Sequence, residues 1–230
     1  MNESKNNYDD YLEFKGWHSL FSYNSYQAKQ YKDIFAGLNL KDSNILELGF
    51  GSGALMRWLS DQGAIVSGVE IQEELITAAK ENSFQVYPSL EHIKTQSFDL
   101  IIALDVFEHI EKIHLNDYLV RINQITSSNG MLLARFPNCQ SPNGVFTQYG
   151  DPTHVSKLSI PIFTHYTSQA GFDFIKAFEG KAVQIYSNNF FVSTFKFIIK
   201  SIAKKIIQIG LGSASIPLWA DVIVLYKKKT

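Results

Sequence analysis

The stretch Asn44-Ile-Leu-Glu-Leu-Gly-Phe-Gly-Ser-Gly53, with an acidic residue following at Glu70, restricts the chain to a narrow set of folds. Ile45, Leu46 and Leu48 form an apolar run that ends in Gly49, Gly51 and Gly53, and helix-forming residues continue from Ala54 to Gln62. A strand, a glycine turn and a helix start, in that order, form the place where an α/β sheet holds a nucleotide-like ligand. Glycine has no Cβ, so backbone there can approach a ligand closely. A second apolar run, 64–69, delivers Glu70 roughly 20 residues after the first glycine, where a carboxylate can take both ribose hydroxyls. The expected ligand is built on adenosine.

The rest of the chain extends this pattern. Strands are predicted at Asn44–Leu48, Ile65–Glu70, Phe84–Tyr87, Phe98–Leu104, Met131–Phe136, and near Phe172–Phe178 and Asp221–Tyr226. Helical spacing fills Ala54–Gln62, Glu73–Asn82 and Leu115–Thr126, and a further helix starts at Ser159 and Pro161 and stops at Gly171. Strands that alternate with helices predict a parallel sheet. The fold class is therefore α/β: a Rossmann-like, seven-stranded, mostly parallel sheet with helices on both faces. The Gly/Pro/Asn-rich passage 137–152 reads as a long functional loop that its prolines and glycines keep from forming a helix.

Two segments lie outside this core. Residues 1–40 carry an aromatic-rich stretch with helical spacing at 26–38. They read as an N-terminal helical lid or a helix packed on the sheet, with Trp17, His18 or Tyr23 facing the ligand. The remaining 41–230 is the ligand-binding domain. Within it, about 189–209, before the last strand, apolar residues recur at helical spacing opposite Lys196, Lys200, Lys204 and Lys205. This basic amphipathic helix docks on the core or lies on an anionic membrane surface, to which Lys227–Lys229 would add attraction.

Composition narrows the function. With 21 basic against 22 acidic residues and 45% hydrophobic content, the chain is an ordinary globular protein without the basic excess of a nucleic-acid binder. The single cysteine, Cys139, fits a reducing compartment, and the polar start of the chain and the absence of a spanning run predict a cytoplasmic protein, peripheral at the membrane if the basic helix touches it.

Which adenosine compound binds is decided by smaller details. Gly49, Gly51 and Ala54 satisfy the dinucleotide fingerprint as well, so NAD stays open. Glu47, however, sits inside the first strand, where a carboxylate needs a cationic partner such as the α-amino group of S-adenosylmethionine (SAM). Past strand four, Asp105, Glu108 and His109 place three polar groups in five residues; on one helical turn they would share a face as base or cation ligands, or Asp105 and Glu108 would form a capping box. Asp151-Pro-Thr-His154 adds a second histidine that could deprotonate a hydroxyl, with Phe146 and Tyr149 as apolar faces nearby in sequence.

The segment Ile45–Gly53 resembles motif I of the class I SAM-dependent methyltransferases, and Glu70 resembles their ribose-binding acid. Asp105-Val-Phe-Glu-His-Ile110 resembles the branch related to the ubiquinone-biosynthesis O-methyltransferases, as does the run from Pro137 through Asp151-Pro-Thr-His154 to Phe172. The resemblance implies SAM held by Glu47, Gly49, Phe50, Gly51, Gly53, Glu70 and Ile71, with Leu104 and Asp105 along the edge; where the family often has an adenine-contacting acid after strand three, this chain has Ser89-Leu90-Glu91, which leaves Ser89 or Glu91 for that contact. It implies catalysis by His109, His154 and Asp105. It also implies a divalent cation at Asp105, Glu108 and His109, although Asp105 stands where a glutamate is usual and no metal ligand is assigned. Glu13–Trp17, Leu46–Gly53 and Gly68–Ile71 are similar to methyltransferases of bacterial surface-polysaccharide clusters, which implies a sugar hydroxyl on a glycan, nucleotide-sugar or lipid-linked saccharide as acceptor. A quinone or phenolic small molecule is the alternative acceptor. An NAD-dependent oxidoreductase and a non-catalytic methyltransferase-like module are the other classes left open.

Overall fold

The computed structural model describes residues 19–94, 97–180 and 217–229, with 199, 202, 205, 206, 209 and 210 between the last two stretches. Seven strands, β1 (Asn44–Leu48), β2 (Ile65–Val69), β3 (Gln85–Tyr87), β4 (Phe98–Leu104), β5 (Thr126–Pro137), β6 (Phe172–Gly180) and β7 (Asp221–Lys228), form a sheet in the order β3-β2-β1-β4-β5-β7-β6. This is the expected α/β architecture. The chain divides into two compact units, up to Leu100 and from Ile101.

In the first unit β1 pairs parallel with β2, and β2 with β3. Ile45, Leu46 and Leu48 are buried, as the side chains of a parallel strand covered on both faces must be. Helix α1 (Ser25–Ile34) starts in a capping box: Asn24 Oδ1 accepts from the Gln27 N–H, and Gln27 Oε1 accepts from the Asn24 N–H. Helix α2 (Ala54–Asp61) buries Leu55, Met56, Trp58 and Leu59, and Trp58 stacks on Phe35 at 5.7 Å. Helix α3 (Glu73–Glu81) buries Leu75, Ile76 and Ala79, the face its spacing predicts.

In the second unit β7 runs antiparallel to both β5 and β6. Helix α4 (Lys112–Ile125) buries Leu115, Leu119, Ile122 and Ile125. Lys228 Nζ donates to the carbonyls of Asn123 and Thr126, each at 2.7 Å, and so satisfies groups that a helix end leaves open. Thr126 is thus already strand, and β5 starts there rather than at Met131; Asn129-Gly130 lies within it, not in a turn. Helix α6 (Ile160–Gln169) begins at the predicted Ser159, whose hydroxyl accepts from the Ile162 N–H, and carries Phe163 against Phe107 and Phe136 at 4.7 and 4.9 Å.

The passage 137–152 is not a long loop. Pro142–Gly150 forms helix α5, with Pro142 in the first turn and Ser141 accepting from the Asn143 N–H. Proline in a first helical turn lacks only an N–H that has no partner there anyway, and its fixed φ suits the helix. Gly144 lets α5 lie against the end of β5: a Cβ there would stand 2.1 Å from the Asn138 carbonyl oxygen.

Trp17 and His18, expected over the ligand, lie outside the described residues, as does most of the predicted helix 189–209. No helix among the described residues is long and apolar enough to cross a membrane.

Candidate functional site

Four of the residues in question close successive strands of the sheet. Gly49 follows β1, Glu70 follows β2, Ser89 lies just beyond β3 and Asp105 follows β4. Ligands in open α/β sheets bind beyond these carboxyl ends.

In the first unit the glycine turn is built by conformation. Gly49, Gly51 and Gly53 have φ of 63°, 51° and 70°, a region that side chains with a Cβ rarely enter. A Cβ on Gly53 would stand 2.2 Å from the ring of Phe21, whose N–H donates to the Ser52 carbonyl. Phe21 itself is buried, stacked on Phe84 and tilted against Phe50, so an aromatic of the N-terminal segment closes over the turn. Tyr23 points elsewhere and donates to Asp61 at the end of α2. Phe50, expected along the cofactor, is buried in the same aromatic group.

Glu70 is drawn back onto this turn. One carboxylate oxygen accepts from the Gly51 N–H at 3.1 Å, and the other from the N–H groups of Ile71 (2.8 Å) and Gln72 (3.3 Å). Glycine turn and acid are therefore one hydrogen-bonded cradle, with Glu47 buried behind it in β1. The Ser89 hydroxyl pairs with His92 at 2.9 Å, and Leu104 is half-buried at the end of β4.

The second unit holds the acid and histidine residues, differently arranged from the expectation. Asp105 does not cap a helix and does not share a face with Glu108 and His109. It takes a left-handed conformation at φ 59°, its N–H donates to the Arg135 carbonyl, and its carboxylate forms a two-point pair with the Arg135 guanidinium. The chain then turns through a short 3-10 segment, Phe107–His109. That turn sends Glu108 inward, where it is fully buried and neither carboxylate oxygen has a hydrogen-bond partner among the described residues.

His154 joins it from the far loop. Its Nε2 lies 4.0 Å from Glu108 and 3.9 Å from Asp151, and its Nδ1 is buried without a partner among the described residues. The rings of His109 and His154 meet edge to face at 4.8 Å. The arrangement is tied by backbone: the Glu108 carbonyl accepts from the N–H groups of Val155 and Ser156, and His109 Nδ1 pairs with the Thr153 carbonyl. Sequence spacing suggested Asp105, Glu108 and His109; the structure exchanges Asp105 for His154.

Burial, reinforced by the negative charge of Asp105, pushes the Glu108 carboxyl well above the usual carboxylate range. Asp221 at the start of β7 is raised by the same two causes. Arg135 pairs directly with Asp105, and its positive charge offsets part of the rise at Glu108 and Asp221. Arg135, Asp221 and the buried Asn138 were not singled out from sequence. The signal for Arg135 was there: a cation inside an apolar strand demands a partner, as Glu47 does. The ligating atoms of Glu108, His109 and His154 lie within 4.8 Å of one another. One carboxylate with two imidazoles is a donor set suited to a divalent transition ion, and the two orphaned oxygens of Glu108 fit such a charge.

A methyltransferase-domain family matches residues 20–177. The ubiquinone biosynthesis O-methyltransferase of Coxiella burnetii is 34% identical over 88 residues, 34% of this chain and 38% of that protein. The corresponding enzyme of Saccharophagus degradans is 30% identical over 79 residues, 30% and 34% of the two chains. The matched part spans little more than a third of these relatives' length. Among solved structures, a SAM-dependent methyltransferase from Archaeoglobus fulgidus superposes with a TM-score of 0.60 at 21% identity, covering 88% of this chain and 92% of that one. Magnesium protoporphyrin IX methyltransferase from Synechocystis, with bound SAM, gives 0.60 at 13% identity over the whole of both chains. These two likenesses are likenesses of fold.

Proposed function

The chain belongs to the methyltransferase-domain family, and from that premise we propose that it transfers the methyl group of SAM to a hydroxyl oxygen. The observation that carries the reading is Glu70, held against the Gly51 N–H at the carboxyl end of its strand. A carboxylate so placed takes the two ribose hydroxyls, while the glycine turn admits the rest of the cofactor. Glu47, buried in β1, is the counter-charge for the cofactor's α-amino group.

The reaction is an in-line displacement: the acceptor oxygen bonds to the methyl carbon as the carbon–sulfur bond breaks, and the electron pair stays on sulfur. The sulfonium arrives activated, so the protein supplies orientation and takes the hydroxyl proton. His154 and His109 are the bases, with Glu108 beside them. With a divalent cation bound, Glu108, His109 and His154 would serve as its ligands instead of as bases, and the cation would make the acceptor hydroxyl more acidic.

For the acceptor, the partial relatives are named for O-methylation in ubiquinone biosynthesis, which supports a quinone or phenolic molecule over the sugar expected from sequence. The exposed rings of Phe146 and Tyr149 on α5 suit a flat apolar acceptor. Methyl transfer from labelled SAM to catechols and other phenols, with sugars and nucleotide-sugars in parallel, tests this. Labelled phenol ethers are expected; transfer to sugars alone would restore the glycan reading, and transfer to neither class would remove both.

A further inference from the structure

Phe21 meets the glycine turn through backbone and ring together. Its N–H donates to the Ser52 carbonyl at 2.7 Å. Its carbonyl accepts from Arg57 Nε at 3.4 Å, and the Arg57 N–H donates in turn to the Gly53 carbonyl at 3.0 Å. The ring fills the space where any residue other than glycine at position 53 would carry a Cβ. Phe50 repeats the device. Its ring, 6.0 Å from that of Phe21, stands 2.5 Å from where a Cβ on Gly68 would lie, in the strand that leads to Glu70. Two rings seated in two glycine gaps thus join residue 21 to the turn and the turn to β2.

We infer that Phe21 is a positioning residue for the cofactor: it holds the glycine turn, before SAM arrives, in the conformation in which SAM binds. The inference rests on the SAM reading of the cradle. Gly49, Gly51 and Gly53 all have positive φ, and glycine loses more conformational freedom on ordering than any other residue. A turn with three such residues and no brace would be ordered only as its ligand bound, and the cost of that ordering would weaken binding.

The brace has two sides. Glu70 fixes the turn at the Gly51 N–H, and Phe21 fixes it at Ser52 and Gly53. Phe21 is 4% exposed and itself takes a left-handed φ of 50°. A phenylalanine in that region is uncommon and persists only where its surroundings fix it. Here they do: the Ser52 carbonyl and Arg57 hold its backbone, and Phe84 stacks on its ring at 5.3 Å. Arg57 closes the group from above, with its guanidinium over the Phe84 ring and a bond to Asn82 at the end of α3.

The test compares the full chain with Phe21→Ala, Phe21→Leu and Leu119→Ala, the last a truncation of a buried side chain on α4 in the second unit. Calorimetry reads S-adenosylhomocysteine affinity, and amide hydrogen exchange over 49–53 reads the order of the turn in the free protein. Phe21→Ala is expected to weaken the affinity and to speed that exchange, each by about tenfold or more. Phe21→Leu keeps the backbone bond and most of the apolar volume; it should weaken the affinity about threefold, and it carries the test if Phe21→Ala does not fold. Leu119→Ala should lower Tm and leave the affinity unchanged. Phe21 variants that bind as tightly as the wild type, or exchange no faster over 49–53, would overturn the inference alone. An equal loss of affinity in Leu119→Ala would overturn it too, assigning the effect to lost stability. A wild-type protein that binds no S-adenosylhomocysteine would overturn the SAM reading and this inference with it.

Discussion

At the scale of single residues, the second unit concentrates charge where charge is costly. Arg135 holds Asp105 in a backbone conformation that few non-glycine residues adopt, and from there the chain turns to deliver Glu108 and His109. Arg135→Met should cost about 1–2 kcal/mol, less than a fully buried pair, because the two side chains are 31% and 44% exposed. Chemical denaturation measures the loss, and Asp105→Asn in the same background should recover part of it. Asp221 predicts a pH dependence. Its folded pKa is raised, so the native state holds the proton more tightly, and its share of stability is full below the unfolded value of about 3.9. That share is lost as pH rises through the folded value. Asp221→Asn should therefore flatten the fall in Tm above pH 4 and raise Tm at pH 8; a lower Tm at pH 8 would contradict this. These residues were hard to see in sequence because the partners are remote: Asp105 and Arg135 lie 30 positions apart. A local window over 105–109 shows a helix face or a capping box, and only the tertiary pairing of Asp105 rules both out.

Elements were more legible than residues. β1, β2 and β4 read directly from the chain because buried parallel strands are written as apolar runs, and α3 because its apolar face recurs at helical spacing. Helix α5 escaped because glycine and proline count as breakers in composition, whereas Pro142 occupies the one turn where proline is at home. The start of β5 escaped because Asn129-Gly130 is a turn signal in sequence, whereas the chain runs through both residues as strand before its pairing with β7 begins at Met131. Two predictions belong here. Gly53→Ala forces a left-handed alanine, worth about 1–2 kcal/mol, into contact with Phe21, worth about 1–3 more. At about 2–4 °C per kcal/mol, its Tm should fall by several degrees. Ser141→Ala removes the cap of α5, costing about 1 kcal/mol. Because α5 carries Phe146 and Tyr149, this variant should raise the acceptor KM and leave S-adenosylhomocysteine affinity unchanged in calorimetry.

For the molecule as a whole, the account gives each unit its own task. The first unit builds a cradle from a glycine turn and Glu70, and this much was readable from residues 44–70 alone. The second gathers Glu108, His109 and His154 from two loops, and the sequence could name the histidines without showing that they meet. The central claim is that the cradle holds SAM. Calorimetric titration of the purified protein with S-adenosylhomocysteine and, separately, with NAD tests it most directly, with Glu70→Ala alongside. The account predicts binding of S-adenosylhomocysteine, no heat with NAD, and a loss of at least about tenfold in affinity, or about 1.4 kcal/mol, in Glu70→Ala. Binding of NAD in its place, or a Glu70→Ala variant that binds S-adenosylhomocysteine as tightly as the wild type, would contradict it.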